Sequence, residues 1–166
     1  MRKFKQPASR EHPPPPSHQE ALTKIFRYCA YQERSHREVK NKLFEYGLPS
    51  HQVDEVLSHL ITEGFLNEER YAKAFAGGKF RIVKWGRLKI QKELESSGVS
   101  PRNVARGLME ISTAEYAKTI LHLIKRKSSQ IVDESPYKRR NRVARFVIGK
   151  GFEPELVWEA VNDFLA

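Results

Sequence analysis

Three glycines, Gly47, Gly98 and Gly151, stand in the same apolar frame, and that frame limits what the chain can fold into. Eight and four residues before them come Val39 and Leu43, Ile90 and Leu94, Val143 and Val147. One, six and ten residues after them come Leu48, Val53 and Leu57; Val99, Val104 and Leu108; Phe152, Val157 and Val161. Offsets of eight and four put two side chains on one face of a helix, and glycine supplies the left-handed residue that ends it. The three positions after glycine then line the facing side of the next helix. The glycines are 51 and 53 residues apart, so each repeat is long enough for a helical trio and too small to bury a core without its neighbours.

Local signals agree. No segment alternates with period two, and apolar residues recur at three and four, as in Leu22, Ile25, Phe26 and Cys29 or Tyr116, Ile120, Leu123 and Ile124. Ser35 with Glu38 forms a capping box; Ser50 and Asn67 are candidate N-caps; Ser100-Pro101 and Ser135-Pro136 place a cap before a first-turn proline. These signals predict helices over about 20–33, 36–46, 51–63, 68–83, 86–97, 101–110, 113–128, 136–149 and 154–165. The first helices of the second and third sets also match, Tyr71-Ala72-Lys73 against Tyr116-Ala117-Lys118. The expected fold is all-α, with three tandem three-helix-bundle repeats over 20–66, 67–111 and 112–166 in an elongated, curved array. Residues 1–19 hold five of the nine prolines and four cations with almost no apolar pattern, and are expected to form a disordered basic arm, partly polyproline II.

Several chemistries find no support. Cys29 is the sole cysteine, which excludes an intrachain disulfide and a cysteine zinc cluster, and its place on an apolar stripe suits a buried hydrophobe better than a nucleophile. The histidines lack metal-ligand spacing, and Gly77-Gly78 has no lysine-serine ending to hold a phosphate. Paired carboxylates such as Asp54-Glu55 and Glu68-Glu69 fall where helix surfaces or first turns explain them. No metal, cofactor or catalytic residue is expected, and the chain reads as a non-enzyme. Nothing resembles a membrane span or a secretory leader, so a cytoplasmic monomer is the expectation.

Three stretches carry a family likeness: Glu33 to Leu43 (ERSHREVKNKL), Gly64 to Phe75 (GFLNEERYAKAF), and Gly86 to Leu94 (GRLKIQKEL) running on to Gly98-Val99. Together they resemble the RecX family of recombination regulators, over about Leu22 to Ala166. Where that family usually has paired aspartates before the arginine, this chain has Asn67-Glu68-Glu69. The resemblance implies a regulator that binds the RecA recombinase filament on single-stranded DNA and inhibits its ATP hydrolysis, strand exchange and coprotease activities.

Charge suggests where a partner would touch. The chain carries 30 Lys and Arg against 20 Asp and Glu. Residues 67–111 hold ten cations against five acids, whereas 20–66 hold six against seven. Lys79, Arg81, Lys84, Arg87, Lys89 and Lys92 follow one another with no acid between them, as do Lys138, Arg139, Arg140, Arg142, Arg145 and Lys150. Aligned by stacked units, they would form a cationic stripe suited to an acidic filament groove or to a phosphate backbone; any one of them can equally be part of a solvated helix face. Trp85, among the cations, is expected to pack between helices, with stacking on a base or in a partner pocket as the other reading. A direct nucleic-acid-binding protein is therefore the alternative function, and a scaffold that docks through Pro13 to Pro16 a weaker one.

Overall fold

The computed structural model describes residues 14–132 and 135–166. The first thirteen residues of the arm lie outside them. Among the described residues there are nine α-helices and no strand: α1 (His18–Tyr31), α2 (His36–Glu45), α3 (Ser50–Thr62), α4 (Glu68–Gly78), α5 (Arg87–Ser96), α6 (Pro101–Leu108), α7 (Thr113–Ser129), α8 (Pro136–Gly149) and α9 (Pro154–Phe164). A π-helical turn, Lys79–Val83, continues α4.

The repeat frame is the core. All residues eight and four before the glycines are fully buried, and those one and six after are at most 7% exposed. The positions ten after behave differently: Val161 is fully buried, whereas Leu57 and Leu108 are half-buried at the edges of their bundles. Gly47, Gly98 and Gly151 have φ of 85°, 79° and 94°. After α2 and α5 the chain closes in the double hydrogen bond of a Schellman motif: Leu48 N–H to the Leu43 carbonyl (3.2 Å) with Gly47 to Phe44 (2.9 Å), and Val99 to Leu94 (3.1 Å) with Gly98 to Glu95 (2.9 Å).

Caps set the starts. Ser35 and Glu38 cap each other reciprocally, and so do Ser17 and Glu20, which begin α1 two residues earlier than the sequence predicted. Asn67 accepts from the Arg70 amide at 2.8 Å. Ser50 is the first residue of α3 rather than its cap; Pro49 precedes it, with no side-chain cap. Ser100 also leaves its helix uncapped, because its hydroxyl donates to Glu68 at 2.6 Å instead.

Two cores result. One is built from α1, α2 and α3 with Leu48 and Leu66; the other is continuous through α4 to α9. Units two and three are therefore fused by apolar packing, whereas unit one, contrary to the expectation that no repeat buries a core without its neighbours, packs its own from three helices and joins them through polar links. Arg37 donates to the Ser96 carbonyl, and Arg70 pairs with Glu33 at 2.8 Å.

Candidate partner-binding site

The most concentrated arrangement of cations and aromatics lies at the joint between units two and three. Predicted as one helix over 68–83, the chain here leaves α-geometry. The widened turn Lys79–Val83 ends at Lys84 in the left-handed region (φ 58°, ψ 46°), with the Lys84 amide bonded to Phe80 and that of Trp85 to Lys79, both at 3.2 Å. A lysine there costs about 1 kcal/mol relative to glycine. The turn buries Phe80 and leaves Ile82 almost fully exposed. Arg81 folds back over Gly77, where a Cβ would meet its guanidinium at 2.6 Å.

Past the turn, Gly86 lies against unit three. Its amide donates to the Lys150 carbonyl (2.8 Å) and that of Leu88 to the Gly151 carbonyl (3.0 Å). A Cβ on Gly86 would sit 2.2 Å from the Gly151 carbonyl carbon, so only glycine fits. Tyr116, from α7, fastens the same joint: its hydroxyl donates to Glu153 at 2.6 Å and accepts from the Arg87 amide at 2.9 Å. Burial, then the bond to Glu153, push the Tyr116 phenol far above its ordinary pKa. Phe80, Tyr116 and Phe152 follow one another at centroid distances of 5.7 and 4.9 Å.

This joint fixes the half-buried Trp85 beside it. Lys79 and Lys89 hold their ammonium groups over its ring, 4.8 and 4.4 Å from the centroid. On the unit-three side, Lys127 and Lys150 lie over Phe146 at 5.0 and 5.4 Å. The Lys150 carbonyl that receives Gly86 ties the two clusters together. Each cation is thereby held in place before any partner arrives, which lowers the side-chain ordering cost of binding.

The remaining predicted contacts divide. Lys84 is half-buried at the turn, and Lys92 is exposed on α5. Arg87 serves the joint: it stacks on Tyr116 at 4.0 Å and faces Glu153 at 3.8 Å. Arg139 donates to the Ser128 carbonyl (3.1 Å), and Arg140 to the Leu165 carbonyl (2.9 Å), tying down the end of α9. Lys138, Arg142 and Arg145 share the wall of a separate hollow of about 320 Å³ on α8 with Tyr137 and Asn141. The cations thus form a joint-centred group and an α8 group, and Arg87, Arg139 and Arg140 also serve bonds within the fold.

Models of the first, second and third three-helix domains of RecX match residues 21–60, 67–108 and 114–161. The chain belongs to the RecX family. Among relatives, it is 29% identical over 136 residues to the regulatory protein RecX of Geobacillus kaustophilus, covering 82% of this chain and 51% of that protein. With the regulatory protein RecX of Prosthecochloris aestuarii it shares 23% identity over 145 residues, covering 87% and 93%. The chain spans about half the length of the first of these relatives. The crystal structure of RecX from Lactobacillus salivarius matches the fold with a TM-score of 0.79 at 17% identity, over 87% of this chain and 94% of that one. RecX is a family of regulatory proteins, and among the described residues no helix is long and apolar enough to cross a membrane.

Sequence reasoning about this RecX chain missed Lys127 and Phe146. Lys127 lies on α7, far in sequence from the ring it covers, and no spacing rule links them. The one available signal was Phe146 itself, an aromatic between Arg145 and Lys150 in a run already recognised as basic.

Proposed function

We propose that this chain, through units 20–66, 67–111 and 112–166, binds the RecA recombinase filament on single-stranded DNA and restrains its ATP hydrolysis, strand exchange and coprotease activities. The observation that carries the reading is the fixed cation group at the joint of units two and three, Lys79 and Lys89 over Trp85 with Lys84 and Lys92 beside them. Clustered, pre-ordered cations favour an acidic protein groove through long-range steering and a small ordering cost. Of the other predicted contacts, Arg81, Lys138, Arg142 and Arg145 extend the surface, while Arg87, Arg139 and Arg140 shape it from inside. The protein acts by occupancy: a rigid array bound across neighbouring recombinase subunits shifts the filament only by its differential affinity for the two filament states. It works as a monomer in the cytoplasm, without catalysis of its own.

The test is DNA-dependent ATP hydrolysis by the cognate recombinase with increasing amounts of this protein, wild type and Lys89→Glu/Lys92→Glu. Inhibition by wild type, weakened about tenfold or more in the reversed variant, is expected. Undiminished hydrolysis at excess wild type would refute the regulator reading, and equal inhibition by both would refute the contact. Inhibition well below one molecule per recombinase subunit indicates blocked filament growth; near-stoichiometric inhibition indicates groove filling.

Trp85 favours one second reading, direct binding of single-stranded nucleic acid, because a ring flanked by two ammonium groups is a stacking platform beside phosphate-binding charge. That reading requires affinity for naked DNA that falls steeply between low and moderate salt and drops on Trp85→Ala.

A further inference from the structure

Units two and three align through Tyr71 with Tyr116 and Gly98 with Gly151, and the alignment exposes one place where unit three has abandoned what unit two does. In unit two the seam between α4 and α6 is shut. Gly107 lies so close to α4 that a Cβ would meet the Ala72 carbonyl oxygen at 2.7 Å. Glu68 accepts from Ser100 and Asn103, each at 2.6 Å, and Arg106 pairs with Glu69. In unit three Ala117 keeps the place of Ala72, but the residues that close the seam are replaced. Ala160 stands for Gly107, Thr113 for Glu68, Leu156 for Asn103, Ala114 for Glu69 and Glu159 for Arg106. A methyl group stands between the helices, the unit-two pairs across the seam have no counterpart beyond the bond from Tyr116 to Glu153 at its start, and the cation has become an acid.

The seam therefore opens into a groove. Two adjoining hollows of about 290 and 370 Å³ share Ala117, Ala160 and Asp163. Tyr116 and Ile120 form the buried floor, while Leu121, Leu156 and Phe164 line the walls 37%, 40% and 40% exposed. The walls run parallel: Tyr116 meets Glu153 at the start of both helices, and Lys125 covers Phe164 near the end of both. Leu156, Ala160 and Phe164 mark successive turns of α9, so the trough is about 12 Å long, two to three helical turns. Beside that apolar row runs an acidic one, Glu155, Glu159 and Asp163, exposed and without an ion pair among the described residues. Arg87 also lines the trough but faces Glu153 at 3.8 Å, so on a chain of formal charge +10 the acid row at the lip favours a cationic occupant.

We propose that this groove receives a cationic amphipathic helix of a partner protein, with apolar residues at i, i+4 and i+7 filling the trough and Lys or Arg along the flank over α9. The groove borders the joint, because Arg87 and Tyr116 also line it, but its acid row on α9 is distinct from the cations at Trp85 and the proposal does not depend on the recombinase reading. The probe is a fluorescein-labelled 14-residue helical peptide with leucines at that spacing and lysines on one flank, titrated against the full chain near physiological salt by fluorescence anisotropy. Its partner probe has the lysines exchanged for glutamates. Saturable binding of the cationic peptide is expected, with amide shifts on α7 and α9. It should weaken at least about tenfold for the glutamate peptide, and as much for the variant Leu156→Asn/Glu159→Arg, which restores the unit-two pattern at exposed positions. Helical content of the variant is checked by circular dichroism, and Glu159→Lys alone, a single exposed change, serves if the double variant loses structure. Equal affinity for both peptides, unchanged affinity in the variants or shifts elsewhere would overturn the proposal. So would a wild-type dimer that the substitution dissociates in sedimentation equilibrium, since the occupant would then be a second copy.

Discussion

Gly86→Ala is a sharp probe of how the joint is built. The new Cβ would lie 2.2 Å from the Gly151 carbonyl carbon and oxygen and 2.3 Å from the Phe152 amide nitrogen. These are backbone atoms, so no rotamer change relieves the contact, and reaching ordinary van der Waals separation requires units two and three to part by about 1 Å. That displacement disrupts the two hydrogen bonds from Gly86 and Leu88 at 2.8 and 3.0 Å. At about 1 kcal/mol each they account for roughly 2 kcal/mol, and loosened packing around Phe152 and Tyr116 adds about 1–3 kcal/mol. Reduced backbone freedom of the unfolded chain returns about 0.4–1 kcal/mol. The net expectation is a loss of about 3 kcal/mol in urea unfolding followed by circular dichroism. The control is Gly64→Ala, where φ is +77° but nothing lies within 4 Å of the added Cβ; it loses only the left-handed term, about 1 kcal/mol. If the two substitutions cost the same, the joint is not held by this close approach and the reasoning fails.

Tyr116→Phe removes a hydroxyl that serves both the Arg87 amide and Glu153. It is expected to cost about 1–3 kcal/mol while leaving helical content intact, measured by the same unfolding assay. Glu68 gives a pH signature. Burial works to raise its pKa, but hydrogen bonds from Ser100 and Asn103 prevail and lower it below the ordinary value. A depressed carboxylate contributes stability above its unfolded pKa, about 4.3, and loses it as pH falls through the folded value. The melting-temperature gap between wild type and Glu68→Gln should therefore be constant above about pH 5 and shrink towards pH 3; a gap independent of pH would contradict the assignment. Burial pushes the Cys29 thiol up to about 11. At pH 8 it should react with a disulfide reagent far more slowly in the folded chain than in urea, and matching rates would show the thiol to be accessible.

Much of the fold was readable without coordinates. The apolar frame around Gly47, Gly98 and Gly151 corresponds to the buried core, because helix periodicity and the left-handed glycine are properties of neighbouring residues. Position Ser50 shows the limit of such local rules: its residue type suits a cap, yet Pro49 occupies that place. Ser100 shows another, since its hydroxyl found Glu68 across the unit.

The candidate site was legible only as charge. The run from Lys79 to Lys92 is visible in the sequence, but it does not reveal that Lys79 and Lys89 converge on Trp85, that Arg87 turns inward, or that Lys127 reaches Phe146. Those outcomes depend on a widened helical turn, a left-handed lysine and a glycine pressed against another unit's backbone. Periodic burial is encoded residue by residue along the chain and survives in the sequence as a pattern. Which cation meets which ring depends on how separate helices come to lie against each other, and no spacing within one helix records that distance.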